Sequence, residues 1–175
     1  MATMKKSKKT AAICVLASIL LIAASLLLST TQAAAETMKG RMVVVITRLD
    51  YIEVGEVEGY PLLIGLYEAK GLASFENGEI AICKGSAHFD IVEGPRGFIV
   101  YTFEDGSTQW IKYQGPPNVP GEGAVVPFEI TKGTFEYIGG TGRFEGIRGK
   151  GSYIGKYFPT LNGAYWDITA EYTLP

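Results

Sequence analysis

The sequence has very little with which to hold a transition metal or to cross-link itself: one histidine, His88, and two cysteines, Cys14 and Cys83, in 175 residues. A structural zinc site, which takes four nitrogen or sulfur ligands, lacks a ligand set here. There is no Arg-Arg pair, so twin-arginine export is excluded, and Cys14 sits inside an apolar run rather than after it, where a lipidated cysteine would stand. Sustained 3.6-residue periodicity is missing after residue 35, which excludes a helical bundle. Two nucleotide motifs are missing as well. Neither G-x-G-x-x-G nor G-x-x-x-x-G-K-S/T occurs anywhere in the chain.

What is present begins with a leader. "MATMKKSKKTAAICVLASILLIAASLLLSTTQAAAET" sets Lys5, Lys6, Lys8 and Lys9 ahead of an apolar run from Ala11 to Leu28, followed by small residues ending at Ala35. That order is a secretory signal peptide. Ala33 and Ala35 fit an A-x-A cleavage site, so residues 1–35 are expected to be removed and residues 36–175 to form one domain, secreted or periplasmic. A run of about 18 apolar residues can also just span a bilayer, and a retained anchor is the alternative. The leader holds four lysines and no acid. Of 16 basic and 18 acidic residues, the remainder therefore keeps 12 and 18, a formal charge of −6. An acidic domain without a basic cluster is a poor partner for nucleic acid or an anionic membrane. One cysteine, Cys83, is left, so no internal disulfide can form.

After the leader, β-branched and aromatic residues dominate and glycines punctuate at short intervals, the pattern of an all-β domain. "FENGEI" and "FEDGST" place Asn77-Gly78 and Asp105-Gly106 between strand-like runs, which predicts two hairpins with type I′ turns. Eight strands are expected, over about 41–49, 61–76, 79–92, 97–104, 107–114, 127–137, 143–158 and 164–174. Bulges are expected near Lys70-Gly71 and Lys84-Gly85, where the apolar positions change phase. "QGPPNVPGEGAVVP" reads as a long loop and "DYIEVGEVEGY" as an exposed acidic segment. The acids of that segment lack the spacing of a calcium loop.

Three strands can be read face by face. In the last, Trp166, Ile168, Ala170, Tyr172 and Leu174 alternate with polar positions, so one face meets a core. In the first, Met42, Val43, Val44, Val45 and Ile46 are apolar on both faces, and a subunit interface, the N-terminal residues or a returning loop is expected to cover the outer one. The stretch "FEYIGGTGRFEGIRGKGSYIGKYF" holds seven glycines in 24 residues. Read with a period of two, it puts Ile147, Gly149, Gly151, Tyr153, Gly155 and Tyr157 inward and the basic residues outward. Inward glycines let a strand bend and leave room for large rings. A phosphate cradle would need a helix N-terminus, and none follows.

These residues carry a family resemblance. "YIGGTGRFEGIRGKGSY" resembles the G-G-T/S-G-x-F-x-G-x-x-G signature of the allene oxide cyclase-like and dirigent-like barrels, and "FIVYTFEDGSTQWIKYQGP" is similar to the hairpin that precedes it in the cyclases. The resemblance implies an eight-stranded antiparallel up-and-down barrel, often trimeric, with a lumen for an apolar ligand. The cyclases also place a glutamate on the first strand. Here "RMVVVITRL" has no acid before Asp50, so no catalytic residue carries over.

His88 and Asp90, two apart on one strand, could move protons as a pair, but with Ala87 and Phe89 inward both point to water. Cys83 lies on the side opposite Ile80 and Ile82 and reads as a small half-buried residue. The sequence thus supports an exported barrel that binds a small apolar ligand without a cofactor or metal. The expected lumen lining is Gly149, Gly151, Tyr153, Gly155 and Tyr157 with Trp166 and Tyr172. A barrel isomerase or cyclase, and a structural protein with a filled barrel, are the alternatives.

Overall fold

A computed structural model describes residues 34–57, 60–90, 93–116 and 130–175 of the chain. Residues 1–33 of the expected leader and most of the long Pro- and Gly-rich loop lie outside the described residues. Eight antiparallel strands follow one another around a closed barrel: β1 (Glu36–Val57), β2 (Tyr60–Phe75), β3 (Ile80–Asp90), β4 (Arg96–Phe103), β5 (Thr108–Gln114), β6 (Ile130–Thr141), β7 (Arg148–Phe158) and β8 (Gly163–Thr173). β8 closes on β1 through pairs running from Glu36 with Tyr172 to Val45 with Gly163. The all-β, eight-stranded reading of the sequence holds, and closure gives each strand a paired neighbour on both sides, with β1 running on past β8 beyond Val45.

Both Asx-Gly turns are present, but not as two-residue type I′ loops. That turn needs positive φ at both central residues, and among the described non-glycine residues only Asn162 has one. Gly78 (φ 86°) and Gly106 (φ 81°) each end a three-residue loop. Gly106 N–H donates to the Phe103 carbonyl and Phe103 N–H to the Ser107 carbonyl, a turn closed by a glycine bulge. Asp105 Oδ1 accepts from the Ser107 N–H at 2.9 Å, and Asn77 Oδ1 from the Glu79 N–H at 3.1 Å. The short polar side chain thus completes the turn that its own backbone leaves open.

The bulges also differ from expectation. β2 and β3 pair without a slip through Lys70 with Lys84 and Gly71 with Cys83. Burial alternates strictly along β3, with Ala81, Cys83, Ala87 and Phe89 inward and Ile80 and Ile82 outward. The change of apolar phase near Lys84 is therefore an apolar outer face, not an extra residue. Register shifts occur instead in β1, at Ile46/Arg48 and Glu53/Gly55, and in the pairing of β5 with β6 between Trp110 and Ile111. The acidic segment is exposed over residues 50–56 as expected, and it forms the far end of β1, paired with β2 out to Val57 and Tyr60.

The interior divides along its length. At the end that carries the β2–β3 and β4–β5 turns, Phe75 stacks on Phe103 at 5.6 Å, and Phe103 tilts against Phe144 at 4.8 Å. Arg143 closes this end. Its guanidinium lies 4.9 and 4.7 Å from the Phe103 and Phe144 ring centres and pairs with Glu79 at 2.5 Å. Ile111, Ile147 and Tyr101 fill the space above, all buried. On the outside, Val43, Leu72 and Ile82 stand side by side in register across β1, β2 and β3, each more than half exposed (55%, 56% and 54%).

Candidate functional site

The opposite half of the barrel, toward the β1–β2 turn, is not filled. A cavity of about 280 Å³ lies there. Its floor is set by small residues, Ala69 on β2 and Cys83 and Gly85 on β3, which project little into the lumen. Val44 and Ile46 form one wall and Ile99 another, while Leu49 and Tyr51 line it from the part of β1 that runs beyond β8. None of the described residues lining it is Asp, Glu or His.

Its polar atoms are mostly tyrosine hydroxyls. Tyr67 on β2 and Tyr113 on β5 share a hydrogen bond, and Tyr153 on β7 sets its ring edge-on to Tyr113, with centroids 6.1 Å apart. Burial pushes the Tyr67 hydroxyl up to about 12, offset in part by the bond to Tyr113, and moves Tyr113 and Tyr153 in the same direction. All three are protonated at neutral pH. Trp166 Nε1 donates to Thr131 Oγ1 at 2.5 Å, and Tyr157 OH donates to Asn162 Oδ1 at 3.2 Å, which fixes two more rings of the lining. Burial also raises the Cys83 thiol to about 11, so it stays a neutral, inert wall group.

Of the lumen residues expected from the sequence, Tyr153, Tyr157 and Trp166 line this cavity. Gly149, Gly151, Gly155 and Tyr172 do not. The glycines do face inward and make room for rings, but the rings take all of it: a Cβ on Gly151 would stand 2.4 Å from Phe135 Cζ, and one on Gly155 2.7 Å from Trp166 Cδ1. A Cβ on Gly149 would meet the Glu171 carbonyl at 2.2 Å. Tyr172 belongs to the closed half, edge-on to Tyr137 and donating to Glu36 Oε2 at 2.7 Å. Sequence reasoning missed Tyr67, Tyr113 and the Ala69–Cys83–Gly85 floor. The signal was there in the run of small inward residues Ala69, Gly71, Ala73 on β2 facing Ala81, Cys83, Gly85, Ala87 on β3.

His88 is on the outer wall and accepts a hydrogen bond at Nε2 from Arg96 Nε. Arg96 also pairs with Glu93, and with Asp90 at 3.4 Å. The cluster is a rim contact outside the cavity.

No protein-family model matches the chain, and no curated protein does. Solved structures are similar to it in fold. Two pterocarpan synthase dirigent proteins give TM-scores of 0.47 and 0.45 at 11% and 14% identity, over 81% and 82% of this chain and 87% and 99% of theirs. A nonspecific heme-binding cyclase of neoabyssomicin biosynthesis gives 0.41 at 12% identity, over 86% of this chain and 72% of its own.

Proposed function

We propose that the protein is an exported barrel that binds a small apolar molecule in the open half of its lumen. The observation that carries this reading is the 280 Å³ cavity, lined by aliphatic and aromatic side chains, in a barrel whose other half is packed. Burying apolar surface there contributes about 25 cal/mol per Å², enough for micromolar binding of a ring-sized molecule. Proton transfer calls for a base near the reacting atom. The described lining offers tyrosines and no carboxylate or imidazole, which favours binding over an isomerase or cyclase. The leader of residues 1–35 supports export, and the exposed row Val43, Leu72, Ile82 supports a homo-oligomer, with a trimer favoured by the family resemblance.

The test is titration of the chain from residue 36 with N-phenyl-1-naphthylamine, a neutral probe that fluoresces when buried. Saturable binding that Ala69→Phe abolishes, with the thermal transition retained, supports the reading. A wild-type protein that never binds the probe overturns it and leaves a barrel closed by its own side chains.

A further inference from the structure

Resting on that reading, we infer that the occupant is a small, neutral ring compound bearing a carbonyl oxygen, held by the hydroxyls of Tyr67, Tyr113 and Tyr153. These three side chains come from β2, β5 and β7, three separate parts of the wall, and meet one another in the lining of the cavity. The bond between Tyr67 and Tyr113 uses one O–H proton. Whichever of the two donates, the pair keeps a second proton for another acceptor. Tyr153 makes no hydrogen bond to any other described residue, so its proton is also unspent, and its hydroxyl lies beside Gly133, where a Cβ would stand 2.4 Å from the oxygen. The cluster is therefore an excess of donors in an otherwise apolar lining.

That excess selects among ligands of equal size. A hydrocarbon that expels water from the cavity strands the donors, and each stranded donor offsets part of what burial contributes. A carboxylate would satisfy them but must lose its hydration with no cation facing it. Lys84 is the single cation among the described lining residues, and it occupies an exposed, outward position of β3. A ketone or aldehyde accepts two hydrogen bonds at no cost in charge. Burial holds all three hydroxyls protonated, which keeps them donors across the neutral range. Size narrows the class further. The cavity is just under the roughly 300 Å³ at which small-molecule pockets usually begin, room for one or two fused rings rather than a long acyl chain.

Three probes of matched shape test this by calorimetry: 2-acetylnaphthalene, its hydrocarbon isostere 2-isopropenylnaphthalene, and 2-naphthoate. The ketone is expected to bind about tenfold more tightly than the alkene, and the anion more weakly than either. Tyr153→Phe, which removes one of the two unspent protons, should cut the ketone's advantage and let the alkene bind somewhat more tightly. Should that variant fail to fold, the double variant Tyr67→Phe with Tyr113→Phe makes the same comparison, because it removes the other unspent proton together with the bond that spends the first. Equal binding of ketone and alkene, tightest binding of the naphthoate, or a ketone advantage untouched in Tyr153→Phe and in a folded Tyr67→Phe with Tyr113→Phe overturns the inference while leaving ligand binding intact. If none of the three binds, the binding reading falls with it.

Discussion

Tyr67 on β2 and Tyr113 on β5 share a hydrogen bond through the inside of the barrel, although three strand positions separate them around the wall. The bond ties opposite sides of the open half together, at the level where small residues on β2 and β3 leave the lumen unfilled. Stability should therefore depend on the protonation of this pair. Burial raises the folded Tyr67 value from 10.0 to about 12, so the folded state holds its proton more tightly than the unfolded chain. Its contribution is complete below pH 10 and is lost as pH rises from 10 to about 12. Thermal melts should fall steeply across that window, and Tyr67→Phe should flatten the fall. Equal alkaline sensitivity in the variant would assign the loss to other groups.

The inward glycines of β7 should tolerate no side chain. A Cβ on Gly155 would stand 1.9 Å from the Tyr165 carbonyl, and one on Gly151 would meet both Phe135 and the Thr169 carbonyl, at 2.4 and 2.5 Å. Gly155→Ala and Gly151→Ala are each expected to cost about 1–3 kcal/mol in denaturant unfolding, through overpacking against backbone that cannot retreat. Lys150→Ala, on the exposed side of the same strand, should change stability by less than about 0.5 kcal/mol. A Gly151→Ala protein as stable as wild type would show that Phe135 yields.

The apolar row on the outer wall gives the oligomer prediction. Val43, Leu72 and Ile82 are adjacent in register and exposed, and Lys70 and Lys84 sit directly across from one another in the next row. Sedimentation of the wild-type chain from residue 36 is expected to give a multiple of the monomer mass, and Leu72→Glu, which centres a charge in that row, should give the monomer. A wild type already monomeric at tens of micromolar would refute the interface.

Periodicity told which side of a strand each residue faces, and it told little about depth. The alternation of Trp166, Ile168, Ala170 and Tyr172 and of Tyr153, Gly155 and Tyr157 is found in the barrel as it reads in the sequence. Whether an inward glycine borders empty space depends on what reaches it from across the lumen. Gly151 lies under Phe135, sixteen residues away in the chain, and Gly155 under Trp166 on the next strand. No local pattern carries that pairing. Turn chemistry was legible in location but not in type, because Asn77 and Asp105 use their side chains to close the loop instead of adopting positive φ. The change of phase at Lys84-Gly85 reads as a bulge only where the outer wall of that strand is polar, and here it is apolar. Ile80 and Ile82 face outward in an unbroken strand.

The most direct test of the central claim is a crystal structure of the chain from residue 36 grown with N-phenyl-1-naphthylamine. Electron density for the probe is expected within van der Waals contact of Ala69, Cys83 and Ile99, with Trp166 and Thr131 unmoved at its edge. Density for the probe only on the outer wall, with the space above Ala69 and Cys83 occupied by the protein's own side chains, would contradict it.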